Sequence, residues 1–209
     1  VPTLERHYGQ WRAETPVGPF AAAALVNAAG AWADEIARLA DVPAVGLRPM
    51  RRTAFTFDAP ASLDIRGLPA GVDVAEEFYF KPEAGRFLGS LADETPSAPC
   101  DAQAEELDLA LAVDRIERAT IFEIRRLAHR WAGLRSFVAD RSLVIGPTRH
   151  AEGFLWLAGQ GGYGIQTSPA AGRALAALAT GRELPADLRE LGLRVADLSP
   201  DRPALAAAA

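Results

Sequence analysis

Residues 154–179, FLWLAGQGGYGIQTSPAAGRALAALA, decide how this chain is read. An apolar run, Phe154-Leu155-Trp156-Leu157-Ala158, breaks into glycines at 159, 161, 162 and 164. Apolar residues then recur at three- and four-residue steps, at Ile165, Ala170, Ala171, Ala174, Leu175 and Leu178. The pattern predicts a strand, a glycine turn and a helix. The first turn of such a helix leaves backbone N–H groups unpaired, with aligned peptide dipoles behind them. An anion or an electron-rich oxygen suits that place. Gly159, Gly161 and Gly164 also satisfy the spacing G-x-G-x-x-G. The dinucleotide fingerprint needs more, a second strand after the helix with an acid at its end. Here residues 181–185, GRELP, end the helix and a polar, proline-containing tail follows. The helix start is therefore read as facing a cofactor without being its primary phosphate cradle.

At 209 residues the chain can bury one substantial core or two small ones. A net charge of −5 argues against a nucleic-acid groove or a polybasic membrane patch. The single Cys100 excludes an internal disulfide and a cysteine metal cluster, and it suits a reducing cytoplasm. Histidines at 7, 129 and 150 are too scattered for a ligand motif, so no metal site is expected. No apolar run approaches the ~18 residues of a membrane span, and there is no signal peptide. The expectation is a cytoplasmic chain without a transmembrane segment. Val1-Pro2-Thr3 lacks an initiator methionine, and the chain reads as beginning within a longer protein.

Residues 10–15 and 20–27 flank the turn Pro16-Val17-Gly18-Pro19, a hairpin signature. The second arm, AAAALVNAAG, is almost wholly apolar and predicts a strand buried on both faces. A helix with Trp32, Ile36 and Leu39 on one face follows and is stopped by Pro43. From Val45 the texture alternates. In RRTAFTF, residues 51–57, Arg51 shares a face with Thr53 and both phenylalanines, while Arg52 shares the other with Ala54 and Thr56. A large cation among small side chains leaves space beside it. After a loop at 60–74, strands at 77–81 and 86–90 form a second hairpin across Pro82-Glu83-Ala84, with Tyr79 opposite in sense to Phe78 and Phe80. Asp93 to Pro99 reads as a loop, and Asp101 as the cap of a helix over 102–120 carrying Leu109, Val113 and Ile116 on one stripe. Residues 122–130 read as a strand, 131–135 as a turn that sets Arg135 just past Gly133, and 142–146 as a short strand. The alanine-rich tail is expected to fray.

Five stretches now resemble one family. They are LVNAAGAWADEIA (25–37), RPMRRTAF (48–55), FYFKPEAG (78–85), WAGLRSFVAD (131–140) and the glycine turn at 159–168. In this order they resemble the FAD-dependent D-amino-acid oxidases and dehydrogenases, the bacterial D-arginine dehydrogenase subgroup in particular, over nearly the whole chain. That family opens with a strand–turn–helix carrying the dinucleotide fingerprint, which this sequence does not contain. The resemblance implies an α+β fold: an antiparallel substrate-binding sheet with a flanking helix, plus strand–turn–helix remnants of an FAD-binding Rossmann-like domain whose N-terminal βαβ is missing. It divides the chain into FAD-domain segments at 1–44 and 132–199, the sheet domain at 45–131, and a frayed tail at 200–209. The missing N-terminal FAD-binding half is the expected partner, and without it the chain is expected to hold FAD weakly.

The chemistry implied is oxidation of a D-amino acid to an imino acid, with hydride passing from Cα to flavin N5. The flavin carries the redox step; the protein supplies position and electrostatics. A substrate carboxylate calls for a cationic clamp, and arginine's planar fork fits it best. The resemblance puts Arg52 and Arg135 on the clamping positions, Tyr79 on a substrate-side hydroxyl, and Gln166 near the substrate's carboxylate or amine end. It puts Gly159, Gly161, Gly162, Tyr163, Gly164 and Ile165 at the flavin's pyrimidine edge. Ala28, Ala29, Gly30 and Trp32 resemble a second flavin contact, with Trp32 as plain core the alternative. No residue reads as a general base, and His129 reads as structural. Related substrates, N-methyl amino acids or 2-hydroxy acids, would use the same clamp. A module that needs a separate nucleotide-binding partner is the reading from another class.

Overall fold

The structure, a computed structural model, describes residues 3–206; what was expected of Val1, Pro2 and residues 207–209 lies outside them. Its contacts divide the chain into two units, Val1–Pro49 with Arg135–Ala209, and Met50–Leu134. In the first, β1 (Thr3–His7) and β2 (Gln10–Glu14) pair antiparallel across Tyr8 and Gly9. Both turn residues have positive φ, as a tight two-residue hairpin requires. β2 pairs in turn with β3 (Phe20–Ala22) about the turn expected at 16–19. The arm after that turn is not one doubly buried strand. All three residues of β3 are exposed, and the chain then re-forms as β4 (Leu25–Asn27), where Asn27 is buried and Val26 is not. Both strands are edges of their sheets.

A single 3-10 turn at Gly30–Trp32 leads into α1 (Ala33–Leu39). The buried face of this helix is Ala33 and Ala37, with Ala40 following, whereas Trp32 and Leu39 are exposed. Of the three residues expected on one face, Ile36 packs partly buried on the core, while Trp32 and Leu39 do not. Small side chains let the helix backbone approach the cluster of Phe154, Trp156 and Val138 closely. Asp41, at φ +54, ends the helical turn before Pro43 is reached.

β5 (Arg48–Phe57) carries the chain into the second unit, which holds β6 (Gly71–Val72), β7 (Tyr79–Glu83), β8 (Arg86–Ser90), β9 (Thr95–Pro96) and α2 (Glu106–Ala119). β10 (Leu127–Phe137) leads out again. The sheet order is β10-β5-β8-β7-β6, with β9 also on β5. One sheet face carries Phe55, Phe57 and Phe87, which pack with Leu109, Ala112 and Ile116 of α2. At Gly89 a side chain would meet both the Phe55 ring and Ile116, so glycine lets helix and sheet close up.

Four expectations shift here. The β7–β8 turn is Ala84-Gly85, one residue late, because both positions take positive φ. Residues 101–105 are not helical, so Asp101 caps nothing, and the N-cap is Glu105, whose carboxylate is held by Arg51. Strand β6 lies inside the expected loop at 60–74. Finally, residues 122–126 are not strand, and the expected turn at 131–135 is the interior of β10. Gly133 keeps a negative φ, so nothing there turns the chain.

Back in the first unit, β11 (Val144–Pro147) pairs antiparallel with β12 (Phe154–Ala158). β12 pairs parallel with β4, matching Leu155 to Val26 and Trp156 to Asn27. The two ends of the chain therefore share one sheet. α3 (Gly164–Ala179) buries Ala171, Ala174 and Leu175 against Ile145 and Leu155. Among the described residues only helices follow: α4 (Ala186–Glu190), α5 (Val195–Leu198) and α6 (Pro203–Ala206). Within the described residues the segment from 200 to 206 is packed on the first unit. Leu205 is buried, and the guanidinium of Arg202 donates to both Asp140 carboxylate oxygens, at 2.7 and 2.8 Å, and to the carbonyls of Ser142, Leu143 and Ser199. No helix among the described residues is long and apolar enough to cross a membrane.

Candidate functional site

The glycine turn between β12 and α3 forms one wall of a cleft of about 510 Å3 in the first unit. Ala28 and Gly30, from the chain after β4, and Arg135 also line it. The turn is fixed from behind. Gly161 donates its N–H to the Ser136 carbonyl at 2.9 Å, and a side chain on Gly161 would collide with the Phe137 ring. Phe137 is in turn covered by the guanidinium of Arg141, 4.0 Å from the ring centroid. Beside it, a Cβ on Gly162 would come within 2.6 Å of Arg135 Nη1. Three features coincide: glycine backbone, a cation, and the start of a helix.

That start has no side-chain cap, since Tyr163 stands at the N-cap position and its side chain makes no capping hydrogen bond. The positive end of the helix is thus offered to the cleft. Pro169 lies within α3, and its missing N–H would orphan the carbonyl of Ile165. Ser168 fills the gap by donating its hydroxyl to that oxygen at 2.9 Å. Gly164, Ser168 and Gly172 follow at four-residue steps and all line the cleft. A Cβ built on Gly172 or on Gly30 meets nothing within 4 Å.

Of the residues singled out from sequence, Ala28, Gly30, Arg135, Gly161, Gly162, Gly164 and Ile165 meet at this cleft. Ile165 is 94% exposed. Ala29, Trp32, Tyr163 and Gln166 do not line it; Gly159, at φ +70, serves the turn by packing on Ser142 and Val144. Gln160, Ser168 and Gly172 line it and were not singled out. The four-residue spacing of small residues in α3 was the available signal for the last two.

In the second unit, Arg52 and Tyr79 share a sheet face. Ala54, Ser90 and Tyr79 form one cross-strand row, and Arg52 is two residues before Ala54. The space expected beside Arg52 is occupied. Its side chain is only 12% exposed, Nε donates to the Asp93 carbonyl at 2.6 Å, and Nη2 lies 3.4 Å from Glu94. Arg51 points the other way and is bonded to Glu105 and, at 2.9 Å, to Asp108 at the start of α2. The Glu105 hydrogen bond foremost raises its pKa further above the usual arginine value. A separate cleft of about 410 Å3, lined by Phe57, Pro60, Ile121 and Arg125 among others, holds none of the designated residues.

The model of the DAO family, described as FAD dependent oxidoreductase, matches residues 1–178. The chain is 26% identical over 175 residues to FAD-dependent oxidoreductase domain-containing protein 1 of Bos taurus, covering 76% of this chain and 36% of that protein. Glycine oxidase from Geobacillus kaustophilus superposes with a TM-score of 0.76 at 22% identity, over 93% of this chain and 51% of the other. For L-proline dehydrogenase from P. horikoshii the values are 0.75 and 21%, over 93% and 55%. The chain spans between about a third and a little over half of the length of these relatives.

Proposed function

The chain belongs to the FAD-dependent oxidoreductase family, whose cofactor is FAD, and from that premise we propose that it forms the ring-facing and substrate-facing part of an enzyme that oxidises D-amino acids. The residues at the cleft suit a flat ring that gains negative charge as it accepts electrons. Gly30 and Gly172 leave open exactly the volume that side chains would fill, and the uncapped start of α3 favours negative charge. Ala28, Gly30, Gly161, Gly162, Gly164 and Ile165 would hold the flavin. When bound, FAD supplies a two-electron acceptor for hydride leaving the substrate Cα.

The protein's own groups then divide the remaining work. Backbone N–H groups at the head of α3 stabilise negative charge as it builds up in front of them. Arg135 and Arg52 are each assigned as a carboxylate-binding group, and Tyr79 as a substrate-side hydrogen-bonding group. The side chain of Gln166 is exposed, and it takes the amine or carboxylate end of the substrate in this reading. Bacterial D-arginine dehydrogenase is the subgroup that the motifs resemble, so basic D-amino acids are the first substrates to try. One observation carries the reading: a guanidinium against a glycine turn at an uncapped helix start. The test is anaerobic mixing of the complete FAD-loaded protein with D- and L-amino acids, 2-hydroxy acids and N-methyl amino acids. D-amino acids should bleach the visible flavin band. Bleaching by another class alone, or by none, would overturn the reading.

A further inference from the structure

The segment after β8 is built as a device that holds Arg52. β8 ends at Ser90, opposite Ala54, so the next residue of β5, Thr53, has no partner in β8. Pairing resumes only where Arg51 and Met50 meet Thr95 and Pro96 of β9. Two residues of β5 therefore face four, residues 91–94, in an enlarged bulge, a geometry that re-aims side chains. The bulge is closed by side chains in place of the ladder. Ser90 Oγ donates to the Thr53 carbonyl at 2.6 Å and accepts the N–H of Ala92 at 3.1 Å. Ala92 itself takes φ +59, a left-handed conformation that a non-glycine residue adopts only when its surroundings impose it. Asp93 then turns its carboxylate inward. One oxygen accepts the Thr53 N–H at 2.8 Å, and the other lies 3.3 Å from the Thr53 hydroxyl. Thr53 and Ser90 are fully buried, so these bonds are shielded from water.

With its carboxylate fastened to Thr53, Asp93 presents its backbone carbonyl to Nε of Arg52 at 2.6 Å. A guanidinium held at Nε has its plane set; an incoming carboxylate would meet its Nη edge in exchange for Glu94, whose carboxylate lies 3.4 Å from Nη2. We propose that Asp93 is the positioning residue of Arg52: by locking the bulge onto Thr53 it orders the arginine before an amino-acid carboxylate arrives. The inference rests on the reading of Arg52 as a carboxylate-binding group. Its chemical content is separate, because ordering in advance spares the arginine that loss of freedom on binding.

Asp93→Ala, Asp93→Asn and, as reference, Arg52→Met should be compared in the complete FAD-loaded protein. Both Asp93 variants should raise KM for a D-amino acid by about tenfold or more while kcat stays within about threefold. Binding of the corresponding α-amino amide, which has no carboxylate and is followed by its perturbation of the flavin spectrum, should change less than about twofold. Thermal melting identifies any variant that fails to fold, and Asp93→Asn, equal in size, serves if Asp93→Ala does. If Arg52→Met raises KM and neither Asp93 variant does, Asp93 does not position it. If amide binding weakens along with carboxylate binding, the residue is only structural and the proposal falls. If Arg52→Met itself leaves KM unchanged, the assignment of Arg52 fails, and the inference with it.

Discussion

The guanidinium of Arg135 lies directly over Gly162, so that a Cβ at residue 162 would stand 2.6 Å from Nη1. Nη1 is the far end of a flexible side chain, so an added methyl group displaces the arginine without breaking the turn. Gly162→Ala is expected to melt within a few degrees of the parent while kcat/KM for a carboxylate substrate falls about tenfold, equivalent to ~1.4 kcal/mol. Kinetics and a melting curve on the same sample check it. Unchanged kinetics would show that the position of Arg135 is immaterial.

Gly172 offers a test with effects of opposite sign. A glycine inside a helix costs roughly 0.5–1 kcal/mol relative to alanine, and nothing within 4 Å obstructs a side chain there. Gly172→Ala should therefore stabilise the FAD-free protein while weakening FAD binding, because the methyl group enters the cleft. Unfolding in urea and a fluorescence titration with FAD measure the two effects. Tighter or equal FAD binding would remove Gly172 from the cofactor wall.

Arg51 and Arg52 are neighbours with separate duties. Arg51→Met leaves the mostly covered Asp108 without its arginine, while Glu105 is open to solvent, and a stability loss of about 1 kcal/mol is expected with little change in turnover. Arg52→Met should reduce D-amino-acid turnover at least tenfold, with the flavin spectrum intact. Equal, small losses of turnover in both would mean that Arg52 binds no carboxylate.

The Asp140–Arg202 pair gives a pH dependence. The hydrogen bond from Arg202, opposed by partial burial, holds the Asp140 carboxyl below the usual carboxylate range. A depressed pKa in the folded state contributes stability above the unfolded value, near ~4, and that stability is lost as pH falls through the folded value. Because Asp140 is partly exposed, the contribution is about 1–2 kcal/mol. Asp140→Asn should be less stable than the parent at neutral pH, and the gap should narrow as pH falls below ~4. Urea midpoints across that range measure it; a gap independent of pH would contradict the assignment.

The strand–glycine–helix unit was legible because three local signals agree there: an apolar run, clustered glycines and helical periodicity. The opposite facing of Arg51 and Arg52 was legible from strand alternation alone. The direction of α1 was not, because its fully buried residues are alanines while Trp32 and Leu39 are exposed, so side-chain size points the wrong way. Gly133 misled for a related reason: a glycine permits a turn without demanding one. Ser168 and Gly172 depend on how α3 is rotated toward Gly30, and that is decided by packing of Ala171, Ala174 and Leu175. Asp93 was read as loop because its partner, the Thr53 N–H, exists only where β8 stops.

The parallel pairing of β4 with β12 has a consequence for how the chain is made. Leu25 cannot find Phe154 until everything between them has left the ribosome. At ~5–20 residues per second the interval is roughly 6–26 s. Met50–Leu134 is an uninterrupted segment and can complete its own core first. During that wait β4 has no native strand to pair with, although β1, β2 and β3 can already form their own sheet. Long-range closure of this kind is slow, so chaperone occupancy on the nascent chain should concentrate between the emergence of residue 25 and that of residue 154.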